Sequence, residues 1–230
     1  MECKMSFFKY RVMKRLFLFA VCAWAGLSLW ASSVKGQGTA CETRSEKVPA
    51  KVYMIKEISP ENLMKVYEAL GRKATGKVAV KLSTGEPGNN NYLDPALIKG
   101  LVQKVDGTIV ECNTAYGGGR SDTEKHLKAA KAVADHCGDR ILYISVANKL
   151  SVDCDCVATP EDPKMGDIGI LASLDPVALD RACVDQVRAS EDHGKIHLIE
   201  RIDSRHGMHT LDYAEQIGLG SQQYELVELK

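Results

Sequence analysis

Apolar residues in this chain gather in short runs, and between the runs the apolar positions repeat at helical spacing. The runs KVYMIK (51–56), KVAVKL (77–82), GTIVECN (107–113), RILYISV (140–146), DIGILAS (167–173) and YELVEL (224–229) predict strands. The intervening segments predict helices over 62–70, 95–105, 123–136, 176–189, 196–202 and 210–217. Punctuation agrees: Asp94-Pro95 and Asp175-Pro176 each place a capping acid before a proline at the first helical position, and Gly71 and Gly218 close helices. Strand–helix alternation with short connections predicts an α/β domain, with a mostly parallel sheet covered by helices on both faces in a three-layer, Rossmann-like arrangement. Val78, Val80, Ile109, Ile141, Tyr143, Ile168, Ile170 and Leu171 are then core positions, because strands covered on both faces carry near-continuous apolar residues.

One apolar run stands apart. Lys4, Lys9, Arg11, Lys14 and Arg15 precede the continuous run 16–31, and small and polar residues follow to Ala40. That order is the order of a secretory signal peptide, and the run is short of the roughly 20 residues of a spanning helix. The expected organisation is a signal peptide and leader over 1–40, a linker over 41–50, and a single α/β domain over 51–230, in an exported protein, periplasmic or extracellular. Residues 1–40 hold six of the 30 basic residues and one of the 30 acids, so the rest of the chain carries 24 basic and 29 acidic residues, a net charge of −5. A mildly acidic domain has no electrostatic footprint for nucleic acid or for an anionic membrane, so the expected partner is a small molecule or a metal. Oligomeric state is open.

Ligands of parallel α/β sheets sit in the loops that leave the carboxyl ends of the strands. The elaborate loops here follow Leu82, Asn113 and Val146, with a short turn after Ser173, whereas the connections 71–76 and 105–106 are plain. These loops supply the candidates. Cys154 and Cys156, with Asp153 beside them, pair thiolates with a carboxylate, a donor set for a soft or borderline metal; a small-ring disulfide is the alternative. Cys112 at a strand end and His126 complete a metal-ligand set. Gly117 and Gly118, with Arg120 and a helix start behind them, offer backbone N–H groups and a counter-charge to an anion. Glu86, Asn89, Asn90, Asn113 and Asp175 fill out the ligand-binding candidates, and Glu86 or Asp153 is placed to act as a general base.

The stretches KLSTGEPGNNNYLDP (81–95), VECNTAYGGGRSDTEKH (110–126), VANKLSVDCDC (146–156), MGDIGILASLDPVALDRACVD (165–185) and LDYAEQIGLGSQQYELV (211–227) resemble the domain-of-unknown-function-362 family, also labelled uncharacterised Fe–S-centre proteins. The resemblance implies an iron–sulfur connection but no catalytic residues. The chain lacks the ferredoxin-like CxxCxxC segment of many relatives. It also lacks their middle segment, since HLKAA (126–130) joins AVADHCGDRILYISVANKL (132–150) through Lys131. The expectation is a metal- or Fe–S-associated protein of unknown activity, with redox chemistry as one option and an Fe–S cluster or a single metal ion as cofactor. The alternatives are a hydrolase or transferase acting on a small anionic ligand, and a non-catalytic binding scaffold.

Overall fold

The computed structural model describes residues 14–21 (backbone), 48–85, 87–111, 123–153 and 157–230. Among them, strands β1 (Lys14–Val21), β2 (Ala50–Ile55), β3 (Lys77–Lys81), β4 (Gly107–Val110), β5 (Ile141–Ala147), β6 (Gly169–Ser173) and β7 (Tyr224–Glu228) form one sheet in the order β4-β3-β1-β5-β6-β2-β7. Six α-helices accompany it: α1 (Pro60–Ala69), α2 (Pro95–Lys104), α3 (Thr123–Cys137), α4 (Pro176–Ala189), α5 (Lys195–Ser204) and α6 (His209–Gln216).

The helices begin where the chain supplies a cap. Ser59, Asp94 and Asp175 stand in extended conformation, and their side chains accept N–H groups of the first turns of α1, α2 and α4, each with proline opening the helix. Packing follows the two faces of the strands. Leu142, Ile144 and Val146 of β5 join Leu63 and Val66 of α1 and Ile98 and Leu101 of α2 in one core cluster. Ile141 and Tyr143, on the other face of the same strand, join Leu179, Ala182 and Val187 of α4 and Leu198 of α5. Burial on both faces is why all seven residues of β5 are buried.

The sheet is mixed, not mostly parallel. Two of its pairings are parallel (β3 with β4, β2 with β7) and four are antiparallel (β1 with β3 and β5, β6 with β5 and β2). Two of the antiparallel pairings come from β1, inserted between β3 and β5, and the two of β6 come from the connection 148–168, which holds no helix among its described residues. A parallel return requires a crossover of a dozen or more residues over one face, whereas this connection folds back beside its own strand and delivers β6 antiparallel to β5. The pairings nonetheless leave β2, β3, β4, β5 and β7 pointing the same way, with β1 and β6 reversed.

Two expectations change with this topology. Ile109 is 50% exposed, because β4 is the short edge strand and presents its residues to solvent. Asp175 follows β6, so it lies at the sheet edge opposite to the loops after β3 and β5, beside the chain entering β7. There its carboxylate accepts from Val177 N (2.8 Å), Ala178 N (3.0 Å) and Ser221 N (2.8 Å). Burial pushes its carboxyl above the usual carboxylate value, against the three N–H donors that pull it down. Asp175 is a cap and a tie, and Asp175→Ala is expected to lower stability by about 2–3 kcal/mol, since it removes a cap and strands the Ser221 N–H. Urea unfolding measures this, and a loss below about 0.5 kcal/mol contradicts the assignment.

Candidate functional site

The site is built from two loops at the edge where β3 and β5 end. In the longer one, after β5, local turn chemistry closes the base. Ser151 Oγ donates to Glu161 O (2.6 Å) and accepts from Asp153 N (3.1 Å), while Glu161 N donates to Asp153 Oδ2 (2.9 Å). Serine and aspartate hydroxyl and carboxylate groups commonly stand in for backbone partners in this way. Residues 154–156 lie within the loop so tied. At its outer ends the connection is fastened to the sheet by Ile168 N donating to Ala147 O (2.8 Å), and by Lys149 N donating to Asp167 Oδ1 (2.7 Å). Lys149 adopts φ 46°, the left-handed region that a lysine rarely takes, so the turn leaving β5 carries local strain.

The loop after β3 docks onto this one. Asn89 is buried; its Nδ2 donates to Val157 O (2.7 Å) and its Oδ1 accepts from Asn91 N (2.6 Å). Lys149 Nζ donates to Asn90 O (2.7 Å) and stands 6.0 Å from the centre of the Tyr92 ring. Gly88 has φ 92°, and a β-carbon there would lie 3.1 Å from Ala158 O, so glycine permits the close approach of the two backbones. Asn91 Nδ2 and Asn148 Oδ1 are buried atoms without a hydrogen-bond partner among the described residues. Among the described residues the edge thus keeps these two unpaired atoms, one donor and one acceptor.

The turn between α4 and α5 supports the longer loop from outside. Asp192 accepts from Gly166 N and from Gly194 N, both at 2.8 Å, and these donors hold its carboxyl below the usual value. His197 Nε2 lies 3.1 Å from Glu161 Oε1, and Lys164 Nζ lies 3.6 Å from the same oxygen. The His197 contact, more than Lys164, holds the Glu161 carboxyl below its usual range. Glu161 and His197 are 36 positions apart, and no motif links the two.

Of the expected site residues, Asn89, Asn90 and Asp153 lie on the two docked loops at this edge. Asp175 does not. Nor is His126 brought to Asp153: its neighbour Leu127 packs with Val177, Leu211 and Ala214, at the end of α4 where Asp175 sits. Glu86, Cys112, Asn113, Gly117, Gly118, Arg120, Cys154 and Cys156 lie outside the described residues. Cys183 is buried in the core with Leu179 and Val187, the half-buried Cys137 packs against the same cluster, and burial raises the Cys137 thiol. Glu111, next to Cys112, accepts from Thr84 N (2.9 Å) and from the Thr84 hydroxyl, so the end of β4 is tied to the start of the docking loop. β4 is nevertheless three strand spacings from β5 in the sheet order, roughly 14 Å. Among the described residues no group of three or more His, Cys, Asp or Glu side chains is placed to hold a metal ion, and no helix is long and apolar enough to cross a membrane.

Residues 121–185 match the family model described as a domain of unknown function (DUF362), the family the sequence resembles. The match runs from α3 through β5, the tied loop and β6 into α4. No curated protein and no solved structure matches the chain.

Proposed function

We propose that the loop after β5 is a thiolate metal site in which Cys154 and Cys156 bind a single soft or borderline cation. The observation that supports this reading is the clamp on the loop. Asn89 Nδ2 holds Val157 O, one residue past Cys156, at 2.7 Å, while Asp153, one residue before Cys154, accepts Glu161 N at 2.9 Å. Two thiols between two fixed points lose less freedom on binding an ion than thiols on an untethered loop, which favours affinity. Asp153 serves this site by closing the loop through its Oδ2; the neighbouring Asp155 adds negative charge that favours a cation. Two thiolates leave coordination positions for a further ligand, and the spare Asn91 and Asn148 atoms suit a polar one.

A four-iron cluster fits the chain poorly. Such a cluster takes four cysteines as a rule; Cys137 and Cys183 pack in or against the core, and of the other four after residue 40 only Cys154 and Cys156 stand on the clamped loop. The same reading takes the chain as a three-layer α/β fold with a Rossmann-like loop edge. Its support is that five strands end at the edge that carries the two docked loops.

The test is metal content of the reduced, anaerobically purified full chain by elemental analysis. The wild type is expected to hold about one equivalent of a thiophilic metal, and the Cys154→Ser, Cys156→Ser variant to lose it. Metal that is unchanged in the variant sinks the proposal.

A further inference from the structure

The apolar run 16–31 reads as the centre of an export leader, yet Lys14–Val21, which overlaps it, is paired into the middle of the sheet as β1. One molecule cannot use the segment both ways, because a leader cleaved anywhere from 31 to 41 takes β1 with it. Sheet geometry defines what is then missing. β1 pairs with β5 from Lys14↔Val146 to Phe19↔Ile141, and with β3 from Phe17↔Lys81 to Val21↔Lys77. β3 and β5 therefore have no ladder with each other. At about 4.8 Å per strand they stand roughly 9.6 Å apart, one strand's width open between them.

The surrounding packing keeps that slot from closing. Val78 and Val80 of β3 share one core cluster with Leu142, Ile144 and Val146 of β5, under α1 and α2. Sliding β3 onto β5 means repacking this cluster, and close-packed cores resist such shifts. Leaving the slot empty strands two rows of backbone N–H and C=O groups in the most buried part of the sheet. The segment itself suits the slot. Leu16-Phe17-Leu18-Phe19-Ala20-Val21 is a continuous apolar run without Pro or Gly, the pattern of a strand covered on both faces.

We propose that the gap between β3 and β5 is a strand-acceptor site, and that its occupant is the chain's own segment Lys14–Val21, retained in the folded protein. The segment is then a structural strand, and its retention decides whether the sheet is closed. The proposal is independent of the metal site.

Two measurements on the full chain test it. Hydrogen exchange of the wild type is expected to show residues 16–20 protected to the same degree as β3 and β5. Free exchange of 16–20 alongside a protected β6 overturns the proposal. Leu18 stands opposite Val80 on one side and Leu142 on the other, so Leu18→Pro interrupts the strand at its centre. In that variant the protection of 77–81 and 141–146 is expected to fall by roughly 10- to 100-fold, the effect of one unsatisfied buried group, or the domain fails to fold. Wild-type protection of both strands in Leu18→Pro contradicts the proposal, as does an intact mass showing that the protein recovered from cells begins beyond residue 31.

Discussion

Gly169→Ala is expected to destabilise the domain by about 3–5 kcal/mol, the sum of a strained backbone and an overpacked contact. Gly169 opens β6 opposite Ala147 with φ 145°, a region L-residues seldom occupy. A β-carbon there would overlap the carbonyl oxygen of Ile55 and stand 3.0 Å from Lys56 Cα. Both obstacles are backbone at the end of β2, so neither can swing aside as a side chain does. The glycine is needed because β6 re-enters the sheet between β5 and β2 directly from the loop, with no helix to set its approach. Guanidinium unfolding measures the effect, and a loss under about 1 kcal/mol shows that β6 enters the sheet differently.

Gly194→Ala is expected to be the next most damaging, at about 2–4 kcal/mol, with a local signature the first lacks. Its backbone is ordinary, so the obstacle is contact alone. A β-carbon would overlap the Lys164 carbonyl and lie 2.9 Å from Met165 N. The cheaper response is for the longer loop to lift away from α5, breaking the Asp192–Gly166 bond and the Glu161–His197 contact. Hydrogen exchange over 157–167 should then rise while α1 and α2 stay protected, and bound metal should fall with it. Wild-type exchange across that loop contradicts the buttress described above.

The apolar pattern read the strands and helices after residue 50 well and the direction of one of them, β6, wrongly. Strand and helix positions follow from periodicity and from caps such as Asp94 and Asp175, which are local properties of the chain. Strand direction is not local. β6 carries the same apolar run whether it lies parallel or antiparallel, and only the absence of a helical signal in 148–168 hinted at reversal. That one reversal moved Asp175 to the far edge, although its role as a cap was legible from Asp-Pro. Ile109 looks like a core residue in isolation and is exposed because β4 ends the sheet. Within the site, the docking of the loops after β3 and β5 follows from co-directional strands, whereas the Glu161–His197 contact joins distant residues that no spacing rule connects. The run 16–31 was ambiguous for a physical reason: an export leader and a central strand ask for the same continuous apolar composition.

Co(II) titration of the reduced full chain reports whether Cys154 and Cys156 ligate one ion in the clamped loop. Thiolate ligation gives an intense sulfur-to-metal charge-transfer absorption that oxygen and nitrogen ligands do not. This band is expected to saturate at about one equivalent in the wild type and to be absent from the Cys154→Ser, Cys156→Ser variant. A band of the same intensity in both proteins, or none in the wild type, contradicts this ligation.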